Sequence, residues 1–219
     1  MLQILSFLGG YDLNFTYLIW CQHTRVAALV DAATPVQPIL KIIKDKGLDL
    51  RSVYLTHTHA DHLACLDKWM ASYPQLRVLG HERPVQDGLP NYRGLPDGIV
   101  MELGCCRITM IETPGHHPDC VCWYHEEGAA IFTGDTIFVG RTGRTIGPLS
   151  SVEVLYHSVY ERILTLPSET RIYPGHDYGS THSITLDELK AGSQFFQCTS
   201  AAQFIEVMAH YEQTRRIGE

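Results

Sequence analysis

Residues 57–62 of the chain read His-Thr-His-Ala-Asp-His, three imidazoles and a carboxylate within six positions. They follow the apolar run Val53-Tyr54-Leu55, so the donors gather where an expected strand ends. His57 and His59 are two residues apart, and extended backbone turns such a pair to the same side. Asp61 and His62 then fall at the start of an expected helix. Further apolar runs close on a donor as well: the TPGH that carries His116, the TGD that carries Asp135 and the YPGH that carries His176. A lone histidine is usually a surface or core residue, but strand ends that repeat the habit argue for one metal site. His57, His59, Asp61, His62, His116, Asp135 and His176 form an N/O donor set suited to zinc, iron or manganese rather than calcium or magnesium. They exceed the needs of one tetrahedral ion and suit two ions sharing a bridge. His117 is close enough to His116 to line the same site.

Positioning these donors requires strands that deliver them to one edge. Alternating and β-branched runs predict strands over 1–10, 15–20 and 26–31, the last two as a hairpin pair, then over 52–57, 76–81, 107–113, 120–125, 129–135 and 170–176. Helical spacing predicts helices over 36–47, with Val36, Ile39, Leu40 and Ile43 on one face and Gly47 as the stop, and over 62–74. A helix is also predicted over 152–167, with Val154, Leu155, Val159, Ile163 and Leu166 inward, and two more over 186–196 and 201–215. Ser200 and Gln203 suit a capping box for the last. The Pro- and Gly-rich residues 82–98 read as a surface loop. Strands interleaved with helices in both halves give a mixed α/β chain, in which strand-end loops build the site.

The bulk properties exclude several classes. A chain of 219 residues, 45% hydrophobic and 19% charged, suits one large domain with a proper core. The net charge of −7 speaks against a nucleic-acid partner. No stretch is long and apolar enough to predict a membrane span, and the apolar start lacks the basic residues of a signal peptide. Seven cysteines without a CxxC pair read as buried thiols of a cytoplasmic protein rather than disulfides or a cysteine zinc site.

HxHxDH at 57–62, TPGH at 113–116, TGD at 133–135 and YPGH at 173–176, in this order, resemble the metallo-β-lactamase superfamily. The resemblance implies an αβ/βα sandwich of two mixed sheets with helices on the outer faces and metals at one edge. It gives His57, His59 and His116 to one metal, Asp61, His62 and His176 to the other, and Asp135 to both. Residues 1–183 would be the catalytic domain and 184–219 a short helical extension packed on it. GDTIFVGRTGRT, LYHSVYERILTLP and YPGHDYG are most similar to the glyoxalase II and persulfide dioxygenase branch. The glyoxalase II resemblance implies a thioester hydrolase with two divalent ions, zinc first and iron or manganese compatible. A metal-bridging hydroxide, oriented by Asp61, would attack the acyl carbon. Arg144 and Tyr178 match the residues that hold glutathione. The dioxygenase resemblance implies instead one Fe(II) on His57, His116 and Asp135, acting on glutathione persulfide. The chain departs from the pattern at Arg141-Thr142-Gly143-Arg144, where the family has Gly-Cys-Gly-Lys/Arg. It departs again at Ile146, often tyrosine, and at His117-Pro118-Asp119, usually Thr-x-Gly. The partner expected is a small-molecule thioester or glutathione conjugate, with no nucleic acid and no membrane, and a homo-oligomer is allowed for.

Overall fold

A computed structural model describes residues 1–215. The chain runs β1 (Leu2–Gly9), β2 (Asn14–Cys21), β3 (Val26–Val30), α1 (Val36–Lys46), β4 (Asp49–Tyr54), α2 (Leu66–Ser72), β5 (Arg77–His81) and β6 (Tyr92–Leu95). It continues with β7 (Val100–Leu103), β8 (Cys106–Glu112), β9 (Val121–His125), β10 (Ala130–Gly134), β11 (Ile137–Phe138), β12 (Arg141–Thr142) and α3 (Val152–His157). Last come β13 (Arg171–Pro174), β14 (Ile184–Thr185), α4 (Leu186–Gly192) and α5 (Ala201–Thr214).

Two mixed six-stranded sheets, ordered β1-β2-β3-β4-β5-β6 and β14-β13-β10-β9-β8-β7, face each other. Every residue of β2 is buried because both its faces are covered. Phe15, Tyr17 and Ile19 point into the layer between the sheets, against Trp123 and Phe132. Leu18 and Trp20 point outward, into the layer that holds Ile39 of α1 and Trp69 of α2. A third apolar layer on the other sheet's outer face joins Ile131 and Ile172 to Leu155, Leu189 and Phe204 from α3, α4 and α5. The result is the four-layer αβ/βα sandwich that the resemblance implies. Among the described residues no helix is long and apolar enough to cross a membrane. All seven cysteines are free, and only Cys105 is exposed.

Several expectations shift for physical reasons. The helix expected over 62–74 begins only at Leu66. The residues before it turn tightly, His62 N–H donating to His59 O and Cys65 N–H to Ala32 O, which aims His62 at the site. The loop expected over 82–98 contains β6, held parallel to β5. The helix expected over 152–167 becomes a π-helical turn at Ser158–Ile163. Leu155, Val159 and Ile163, spaced four residues apart, all remain buried through this turn. Val154, expected inward, is exposed. The helix expected over 186–196 stops at Gly192, and extended Ser193 caps a separate 3₁₀ turn, Gln194–Phe196. Ser200 accepts from Gln203 N–H, but Gln203 Oε1 accepts from Thr199 N–H rather than closing the box; the complete capping box is Thr185 with Glu188. The last four positions of the extension expected over 184–219 lie outside the described residues.

Candidate metal centre

The loops that follow β4, β8, β10 and β13 meet at one edge of the sandwich and bring all the expected donors together. His57 Nε2 lies 2.9 Å from His59 Nδ1, which lies 3.1 Å from His116 Nε2. On the other side His62 Nε2 is 3.2 Å from His176 Nε2, and Asp61 Oδ2 is 3.3 Å from His176 Nε2. Asp135 stands between the groups. Its Oδ1 is 3.2 Å from His62 Nε2 and 3.4 Å from His176 Nε2, and its Oδ2 is 3.5 Å from His116 Nε2.

The far side of each ring decides which nitrogen carries the proton. His116 Nδ1–H donates to Arg144 O at 2.7 Å, and His176 Nδ1–H to Asp12 O at 2.6 Å. A carbonyl oxygen can only accept, so Nδ1 carries a proton in both rings and Nε2, the nitrogen left to bind a metal, faces inward. His62 Nδ1–H donates to Asp31 Oδ2 at 2.7 Å, with the same consequence. Inward lone pairs crowded against a carboxylate repel one another unless a cation lies among them. Asp135 Oδ1 is buried and has no hydrogen-bond donor among the described residues. An outer ring of acceptors that orients inner imidazoles is the usual support of a metal site, and these donors fit divalent ions. Three sets are close enough to hold one: His57, His59 and His116; His57, His62 and Asp135; Asp61, His62 and His176.

The electrostatics agree. Burial pushes the pKa of His57 down and that of His59 to about 4, so both rings are neutral donors. Burial also opposes charge on His176, but Asp135 and Asp61 outweigh it and raise that pKa to about 10. Burial would likewise raise Asp135, yet His62 and His176 hold it well below the usual carboxylate range. The Asp135 cage therefore demands positive charge, which a divalent ion supplies without protons.

Other residues at the site carry little sequence signal. Asp31 ends β3 in a left-handed conformation (φ 57°) and accepts from Thr56 N–H and Thr56 Oγ1–H, each at 2.8 Å, besides His62. Asn14 Nδ2–H donates to Asp61 Oδ2 at 2.8 Å. A Cβ on Gly175 would sit 2.5 Å from Asp135 Oδ1 and 2.8 Å from His62 Cε1. Gly175→Ala is therefore expected to weaken metal binding about 10- to 100-fold, read by titration against a competing chelator.

A cavity of about 390 Å³ opens over the donors and has a cationic wall of Arg141, Arg144 and Arg215. Arg144 borders it as expected, but its guanidinium is engaged by Glu212 at 2.9 and 3.2 Å. Tyr178 also borders it; its hydroxyl donates to Asp12 and its ring stacks on His176 with centroids 4.8 Å apart. Arg141, absent from the expected set, lies over the Tyr178 ring at 4.4 Å, and its buried Nε has no partner among the described residues.

Comparison with known proteins bears on this arrangement. A probable hydroxyacylglutathione hydrolase of Schizosaccharomyces pombe is 33% identical over 97% of this chain and 80% of its own length. The mitochondrial persulfide dioxygenase ETHE1 of Homo sapiens is 32% identical over 90% of this chain and 76% of its own. The crystal structure of ETHE1 from Myxococcus xanthus superposes with a TM-score of 0.85 at 28% identity, covering 97% of this chain and 92% of that one. Residues 9–176, which contain every donor from His57 to His176, match the profile of the metallo-beta-lactamase superfamily, and the chain is a member of that family of metal-dependent enzymes.

Proposed function

We propose that the chain is a binuclear metallohydrolase that cleaves a thioester of an anionic thiol such as glutathione. The observation that carries this reading is Asp135, whose two carboxylate oxygens turn to different donor groups. His57, His59 and His116 would hold one ion, Asp61, His62 and His176 the other, with Asp135 shared. Ions bound there would lower the pKa of water towards about 7 and polarise the acyl carbonyl. Asp61, steadied by Asn14, is placed to orient the attacking water. Arg141, whose Nε has no partner among the described residues, would hold a carboxylate of the carrier, beside Arg144 and Arg215, which share Glu212. The hydroxyacylglutathione hydrolase of S. pombe supports the same substrate class by its name.

A second reading, a persulfide dioxygenase using one iron on His57, His116 and Asp135, draws support from the likeness to ETHE1 over nearly the whole of both chains. The test is metal analysis on protein purified anaerobically without added metal, beside two assays. Two metals per chain and hydrolysis of S-lactoylglutathione are expected. One iron per chain, with oxygen uptake on glutathione persulfide and no thioester cleavage, would replace the first reading with the second. Chelator treatment is expected to abolish hydrolysis, and zinc or manganese to restore it; activity that survives complete demetallation contradicts both readings.

A further inference from the structure

A second hollow, of about 280 Å³, adjoins the cavity over the donors and shares His59, His116 and Arg144 with it. Its remaining wall is different in kind: His117, Ile146, Pro148 and Leu149. Two departures from the family pattern, at His117 and Ile146, thus converge on one place.

Both walls are fixed. His117 Nδ1–H donates to the buried Asp119 carboxylate, which also accepts Thr58 Oγ1–H at 2.5 Å and Val85 N–H at 2.9 Å. The His117 ring lies 4.3 Å from that of His59. The loop carrying Ile146 and Leu149 is tied at one end by His116 Nδ1–H to Arg144 O, and at the other by Ser151 N–H to Gly115 O at 2.8 Å. Ile146 and Leu149 remain 62% and 55% exposed, large apolar side chains that a ligand could cover. The Ser150 hydroxyl donates within the loop, to Gly147 O, and the Arg144 guanidinium is engaged by Glu212.

We propose that this hollow is the acyl subsite, and that the preferred thioester carries an aliphatic acyl chain of several carbons rather than a short hydroxyacyl group. The inference rests on the hydrolase reading and specifies its substrate. With the carrier along the arginine wall and the carbonyl over the donors, the shared boundary at His59 and His116 leaves the acyl arm directed into the hollow. A lining that is mostly apolar gains from each methylene it covers.

Calorimetric titration of the metal-loaded protein with S-methylglutathione and S-hexylglutathione tests this without turnover. The hexyl compound is expected to bind at least about tenfold more tightly. An Ile146→Ser/Leu149→Ser double variant, altered only at exposed side chains, is expected to bring the two within about threefold, with its melting temperature as the check on folding. Equal affinities in the unaltered protein, a preference that survives in the variant, or no binding of either compound would overturn the proposal. Turnover is read separately: cleavage of neither S-lactoylglutathione nor S-hexanoylglutathione rejects the hydrolase reading, whereas cleavage of both at equal kcat/KM rejects the acyl subsite alone.

Discussion

Asp135→Ala is expected to lower hydrolysis on the order of 10³-fold and to remove at least one metal ion per chain, measured by elemental analysis beside steady-state kinetics. The expectation follows from position. Asp135 follows β10 directly, and Gly134 in the left-handed region (φ 47°) turns the chain there. It reaches His62 and His176 with one oxygen and His116 with the other. Removing it takes away the largest charge that raises the pKa of His62 and His176, leaving only Asp31 and Asp61 to oppose burial, and takes away the anion that both donor groups share. Asp135→Asn keeps the volume but removes the charge and leaves one neutral oxygen donor in place of two, so an intermediate metal content is expected. Full loading and unchanged turnover in both variants would show that Asp135 is not shared between ions, and would undo the binuclear mechanism.

That these side chains converge was readable in sequence: His57 and His59 alternate along extended backbone, and His116, Asp135 and His176 each close an apolar run that predicts a strand end. The same runs give only a mixed α/β chain; the two-sheet sandwich follows from the motif resemblance. What escaped is whatever depends on partners remote in sequence. The motif resemblance points to Arg144 as a substrate contact, but Glu212, sixty-eight residues on, engages its guanidinium. Arg141 was passed over because it stands where the family has glycine, and its value comes from the Tyr178 ring beneath it. Asn14 looks like an ordinary strand-end residue until β2 places it beside Asp61. β6 was hidden by glycines and prolines around it; Gly94 passes so close to Glu82 that a Cβ would lie 2.6 Å from its carbonyl oxygen. The π-helical turn leaves no sequence signal, because the four-residue recurrence of Leu155, Val159 and Ile163 suits an ordinary helix equally well.

Asp31 is the plainest case of a residue whose role only the fold reveals, and it yields the second large effect. VAALVD reads as a strand with a polar end, yet the Asp31 carboxylate is buried and receives three hydrogen bonds from the loop that carries His57 and His62. Asp31→Asn keeps the shape and changes the protons. Its Oδ1 can still accept from Thr56 N–H, but its Nδ2 then points a donor at His62 Nδ1. The ring satisfies that donor only by moving its own proton to Nε2, where it blocks the lone pair aimed at the donors. Metal affinity is therefore expected to fall about 10- to 100-fold, with selective loss of the ion on the Asp61, His62 and His176 side. Asp31→Ala leaves Thr56 N–H and His62 Nδ1–H without acceptors in a buried place, at about 1–3 kcal/mol for each orphaned group. Its melting temperature should fall well below that of Asp31→Asn. Chelator-competition titration and thermal unfolding of the two variants separate the effects: a role in folding alone predicts unchanged metal affinity in the well-folded asparagine variant, whereas tautomer control predicts weakened binding there. If Asp31→Asn binds two ions as tightly as the unaltered protein, His62 does not need its outer hydrogen bond to serve as a ligand.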